Sequence, residues 1–145
     1  MANEATDIAR KFLETLADPG FFGNLGGPLF NQWVEMVAED ARISFPYAPP
    51  GMAASFTQRK PWVDSILGVF TAIDRLSWVS LDVHATSDDP ELVFATARGD
   101  AVTAAGRPYR NEYCFFLRVR NGKIVDYTEY FSPLVIAEAF APAES

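Results

Sequence analysis

The chain has 145 residues, enough for one domain (1–145) with a substantial buried core. Its composition is 49% hydrophobic with twelve Phe, which excludes a chain too polar to collapse. A formal charge of −7, with no basic cluster beyond Gln58-Arg59-Lys60, argues against nucleic acid and anionic membranes, both of which attract concentrated Lys and Arg.

The first predicted element is a helix in which Ile8, Phe12, Leu13 and Leu16 share one face. Thr6 or Asp7 is its expected cap, and Asp18-Pro19-Gly20 its stop. After the Gly-rich link "FFGNLGG", a second helix is expected from Pro28 to about Ala38. "ARISF" (41–45) reads as a short strand, and "PYAPPGMAAS" as a loop. Thr57 is the expected cap of a third helix carrying Trp62, Ile66, Val69, Phe70 and Ile73.

Beyond Leu76 the hydrophobic period changes to two. "SWVSLDVHAT", "ELVFATARGDAVTA", "YRNEYCFFLRVR" and "KIVDYTEYF" read as four strands, punctuated by Asp89-Pro90, Ala105-Gly106 and Asn121-Gly122. A last helix is expected over Pro133–Phe140. Helices followed by a strand meander indicate an α+β fold with an antiparallel sheet.

Asn121-Gly122 suits a two-residue hairpin in which both turn residues take positive φ. An unbroken ladder from that turn sets Glu129 opposite Cys114 and Tyr127 opposite Phe116. Glu129 then shares a face with Val125, Tyr127, Phe131, Cys114 and Phe116, and Tyr109 falls on the other face. Both faces of this hairpin are apolar, so helices are expected on one and a second copy of the chain on the other.

Glu129 is the acid that stands out. Placed among Tyr127, Tyr130 and Phe131, a carboxylate loses hydration, which raises its pKa and suits it to proton transfer. The competing reading is an acid paired with Arg98 or Arg118 for structure alone. Arg98 and Asp100 project from one side of their strand, where they pair with each other or bind a ligand together. Ser80, Asp82 and His84 also align, but parallel neighbours on a strand cannot converge on one atom as a catalytic triad must. With one Cys and one His, neither an intrachain disulfide nor a metal site of ordinary spacing is expected. No signal peptide or stretch of about 20 apolar residues stands out, so a cytoplasmic protein is expected.

The segment "GRPYRNEYCFFLRVRNGKIVDYTEYFSPLVIAEAF" resembles the SnoaL-like group of the nuclear-transport-factor-2-like superfamily. The shared pattern is Gly-x-Pro-Tyr-x-Asn-x-Tyr, a Phe-rich strand, Asn-Gly-Lys-Ile, then Glu-Tyr-Phe-x-Pro-Leu. The resemblance implies a cone in which a bent sheet wraps helices around an apolar pocket, commonly as a dimer. It also implies acid–base work on small hydrophobic molecules without metal or organic cofactor.

Within that group, the phenazine-biosynthesis A/B proteins are similar in placing their catalytic acid where Glu129 stands and a pocket Tyr where Tyr109 stands. Their third-helix His has no counterpart around Trp62–Ile66. Limonene epoxide hydrolase is similar in its Arg-x-Asp strand, matched by Arg98 and Asp100, with Glu129 in place of its last Asp. Its water-holding Tyr and Asn correspond to Arg42 and Ser44. Ketosteroid isomerase places its base where Phe45 stands, and SnoaL-type cyclases use a pocket His, whereas this chain's His84 lies on the first long strand.

These comparisons imply Glu129, Arg98 and Asp100 as catalytic groups. Tyr109, Tyr113, Trp33, Trp62, Tyr47 and Phe116 are the expected ligand contacts. The ligand expected is a small hydrophobic molecule, cyclic or oxygenated, turned over by an isomerase, dehydratase, cyclase or hydrolase. A non-catalytic ligand-binding protein and a dimeric interaction module are the alternatives.

Overall fold

A computed structural model describes residues 3–142. The elements run α1 (Glu4–Leu16), a 3-10 turn (Phe22–Asn24), α2 (Pro28–Glu35), β1 (Val37–Ser44), β2 (Ser55–Phe56) and α3 (Arg59–Phe70). The second half is β3 (Ile73–Ala85), β4 (Leu92–Thr103), β5 (Pro108–Tyr109), β6 (Glu112–Arg120), β7 (Lys123–Tyr130) and α4 (Pro133–Ala139). The fold is the expected α+β cone, a strongly curled sheet carrying its helices on the inner side. Strand order is β2-β1-β7-β6-β4-β3, with β5 on β4. The sheet is not wholly antiparallel, because β1 runs parallel to β7, pairing Ile43 with Tyr127.

Several boundaries differ from expectation for local reasons. The cap of α1 is Asn3, whose side chain accepts from Thr6 N while Thr6 Oγ1 accepts from Asn3 N. This reciprocal capping box places Thr6 inside the helix. Helix α2 stops at Glu35, since Val37 is already paired with Ile124 and Met36 O accepts from Ile124 N. Gln58, not Thr57, precedes α3, and Ile73 opens β3. Arg59 is not merely solvated: its guanidinium donates 2.9 Å to Val37 O, pinning α3 to β1.

The helical spacing of Ala5, Ala9, Phe12, Leu13 and Leu16 buries one face of α1. Phe12 stacks on Trp33 at 4.7 Å and meets Tyr127 edge-on at 5.5 Å. Near the end of α1, Trp33 Nε1 donates to Phe12 O at 3.1 Å and Trp78 Nε1 to Leu13 O at 2.8 Å. The first indole, on α2, ties the two helices together, and the second, on β3, holds α1 against the inner sheet face. Strand β4 buries Val93, Ala95, Ala97, Gly99, Ala101 and Thr103 along one side, and these small residues leave room above the sheet. At Gly99 an added Cβ would lie 3.2 Å from the Tyr113 ring and 3.3 Å from Leu76.

The hairpin turn is as expected, with Asn121 at φ 52° and Gly122 at φ 77°. Its ladder is not. Arg120 pairs with Lys123 and Val119 with Ile124, but Arg118 pairs with Asp126, leaving Val125 as one extra residue in β7. This β-bulge reverses the facing of everything beyond it. Phe115, not Cys114, stands opposite Glu129, and Leu117, not Phe116, opposite Tyr127. Cys114 and Phe116 therefore occupy the face away from Glu129.

Candidate active site

The inner face of the cone encloses a cavity of about 590 Å³ whose walls include Trp33, Trp62, Trp78, Phe45, Phe131 and the 49–53 loop. Its polar groups are few: Ser65, the three tyrosines Tyr109, Tyr113 and Tyr127, and one ionisable acid, Glu129. An apolar wall with sparse convergent polar groups is the usual form of a small-molecule site.

Strand β7 supplies the acid. Once the bulge at Val125 is passed, Tyr127, Glu129 and Phe131 alternate inward. Tyr127, 4% exposed, donates to Glu129 Oε1 at 2.5 Å. Burial raises the Glu129 carboxyl, the Tyr127 hydrogen bond pulls it partly back, and the result is about 7. The expected structural alternative, an ion pair, is not formed. Arg98 is engaged by Glu112 at 3.3 Å, and Arg118 by Asp89 at 2.9 Å and Glu91 at 3.3 Å. Among the described residues Glu129 has no salt-bridge partner.

Strands β5 and β6 supply the hydroxyls. Tyr109 and Tyr113 both line the cavity, their oxygens 3.3 Å apart. Desolvation raises both phenols, that of Tyr113 well above the usual value, so both remain protonated at neutral pH. The conflict between Tyr109 and Glu129 in an unbroken hairpin disappears, because the interruption lies in β7 and brings both to one face. Trp33 and Trp62 also line the cavity. Trp62 Nε1 is the one buried side-chain nitrogen or oxygen without a partner among the described residues.

Four expected site residues lie elsewhere. Arg98 and Asp100 point from the outer face of β4, where each finds an exposed partner: Glu112 for Arg98, and Arg110 at 3.2 Å for Asp100. The alternation that turns Ala97, Gly99 and Ala101 inward necessarily turns these two outward, so they do not join Glu129. Phe116 is 40% exposed on the outer face, and Tyr47 is 57% exposed, its ring edge-on to Tyr130 at 5.3 Å. His84 is also exposed, beside Phe94. Among the described residues no group of three His, Cys, Asp or Glu is arranged to hold a metal ion, and no helix is long and apolar enough to cross a membrane.

Sequence reasoning missed Asn111, Trp78 and the bond from Tyr127. A signal for the bulge was present: an unbroken ladder points Asp126 inward beside Leu117, whereas the observed one sets it opposite Arg118.

A curled sheet closed by helices over an apolar cavity with one acid in its wall defines a class of pocketed α+β proteins. Residues 21–127 match the SnoaL-like domain, and the chain belongs to that family. It is similar to YesE of Bacillus subtilis, an uncharacterised protein, with 32% identity over 137 residues, 94% of this chain and 87% of that one. It is also similar to an uncharacterised PhzA/B-like protein of Pseudomonas aeruginosa, with 29% identity over 115 residues, 78% of this chain and 79% of that one. Among solved structures, a suspected isomerase from Bacillus subtilis aligns with a TM-score of 0.81 at 29% identity, covering 98% of each chain.

Proposed function

We propose that the chain is a cofactor-independent acid–base enzyme acting on a small hydrophobic metabolite, cyclic or oxygenated, by isomerase, dehydratase, cyclase or hydrolase chemistry. One observation carries this reading: the Glu129 carboxyl, held at about 7 in an apolar cavity, is populated in both protonation states near neutrality. Such a group takes a proton from a ligand C–H or O–H and returns it to another ligand atom, which leaves the protein unchanged. Positioned acid–base groups of this kind contribute about 10²–10⁴ in rate. Tyr109 and Tyr113 are placed to hydrogen-bond a ligand oxygen that gains negative charge as the proton leaves. A single carboxylate in the wall lacks the three or four ligands that a tightly held metal needs. The likeness to a suspected isomerase is in keeping with this class.

Turnover of small cyclic ketones, enols and epoxides by the wild-type chain and by Glu129→Gln tests the reading. Loss of turnover with ligand binding retained is the expected result. Full activity in Glu129→Gln removes Glu129 as the acid–base group.

A second reading, a non-catalytic ligand-binding protein, is favoured by the cavity wall holding, among the described residues, no second carboxyl group and no His, Lys or Arg beside Glu129. It predicts binding without conversion for both proteins.

We also propose that the outer sheet face pairs two copies of the chain. Tyr47, Tyr130, Phe116 and Phe94 form a continuous row of rings there, with successive centroids 5.3, 6.3 and 5.2 Å apart. Exposed aromatic rows of this kind mark interaction surfaces.

A further inference from the structure

Asn111 is 2% exposed and uses its whole hydrogen-bonding capacity. Its Oδ1 accepts from Glu112 N at 2.9 Å and from Ser132 N at 3.0 Å. Its Nδ2 donates to Ser132 O and to the Tyr109 hydroxyl oxygen, each at 3.1 Å. Two backbone donors on one side and a carbonyl on the other permit a single orientation of the amide. The Tyr109 oxygen must therefore accept from Asn111, and its own proton is left to give.

The Tyr109–Tyr113 hydrogen bond uses one of the two hydroxyl protons. Whichever ring gives that proton, the pair retains another, and the hydrogen bonds among the described residues provide no acceptor for it. Both rings line the cavity, so the surplus proton is available to a ligand. Among the described residues no Lys, Arg or His lines the same cavity, so an anionic acceptor would have no counter-charge there and would face the Glu129 carboxyl.

We infer that Asn111 is a positioning residue: it sets the Tyr109–Tyr113 pair as a net hydrogen-bond donor and so selects ligands with an uncharged oxygen acceptor, such as a ketone or lactone carbonyl. The inference rests on the cavity being the ligand site proposed above, but not on turnover. Asn111→Asp reverses the polarity. A carboxylate there still accepts from Glu112 N and Ser132 N, but it takes the Tyr109 proton instead of giving one, which leaves the pair no surplus.

The test compares 1-indanone with indane, a hydrocarbon of nearly the same shape, by quenching of the cavity tryptophans. One neutral hydrogen bond corresponds to a preference of up to about tenfold for the ketone, accompanied by a carbonyl stretch at lower wavenumber than in hexane. In Asn111→Asp, checked for a native fold by circular dichroism, the preference and the stretch shift are lost while indane binds as before. The double variant Tyr109→Phe/Tyr113→Phe, which leaves Asn111 in place, loses both as well. Equal binding of the two probes by the wild type, or of neither, overturns the inference. So does a folded Asn111→Asp that keeps the ketone preference. Undiminished turnover in Glu129→Gln overturns the catalytic reading instead and leaves the ketone preference untouched, so the two failures are distinct.

Discussion

Tyr127 and Glu129, two residues apart on the inward side of β7, are joined by a 2.5 Å hydrogen bond from phenol to carboxyl. The bond opposes the effect of burial, which is the larger of the two and raises the carboxyl to about 7. Tyr127 itself is pushed well above the usual tyrosine value, first by desolvation and then by Glu129, so the proton of this bond stays on the phenol.

Tyr127→Phe removes the one effect that lowers the Glu129 pKa. A hydrogen bond to a charged group is worth about 1.5–3 kcal/mol, so the carboxyl should rise by about one to two units. Carboxyl-carbon NMR titration, assigned with Glu129→Gln, reads this directly. An unchanged or lower value would mean that Tyr127 does not hold the acid in solution.

The raised pKa also makes stability depend on pH. The folded state binds the Glu129 proton more tightly than the unfolded state, whose ordinary value is 4.5. The contribution is therefore intact below about 4.5, is lost as pH rises towards about 7, and leaves a constant penalty above that. At 1.36 kcal/mol per unit, the penalty is at most about 3–4 kcal/mol. Glu129→Gln should gain stability relative to wild type between pH 4.5 and 8, as read by urea denaturation at each pH. A difference that stays flat across that window would contradict the shift.

Arg98→Ala and Asp100→Ala should leave turnover and ligand affinity unchanged, because both side chains make exposed pairs on the outer face. Each should change stability by less than about 1 kcal/mol. A large loss of activity in either, with the fold intact, would return these residues to the site.

Phe116→Lys should convert a dimer to a monomer in sedimentation experiments. It places a charge in the middle of the aromatic row while leaving the cavity, on the other face, intact. A wild-type chain that sediments as a monomer would remove the proposed interface.

The architecture was legible in the sequence because it depends on periodicity. Helical spacing in α1, the Trp62–Ile66 pair of α3, alternation in the long strands and the Asn121-Gly122 turn persist in the fold, whereas Val69 is left exposed and Ile73 falls in β3. Glu129 was legible as an acid among rings. Tyr127 and Phe131 were legible beside it, but its neighbours across β6 were not, because facing along a hairpin depends on counting residues from the turn, and the one-residue bulge at Val125 breaks the count. The same limit applied to Arg98 and Asp100: alternation put them on one face together, but only the packing of Ala95, Ala97 and Gly99 against the helices decides that this face is the outer one. Asn111 was visible within its motif. Its role required Ser132, 21 residues away, to be folded against it.

The bulge takes up the one residue by which the turn end and the cavity end of β7 are out of step. Deleting Val125 would close it and leave both stretches of the ladder as they are, Ile124 opposite Val119 and Asp126 opposite Arg118, so Glu129 would keep its place in the cavity wall. The chain between the Asn121-Gly122 turn and the pocket can thus lose one residue without moving the acid.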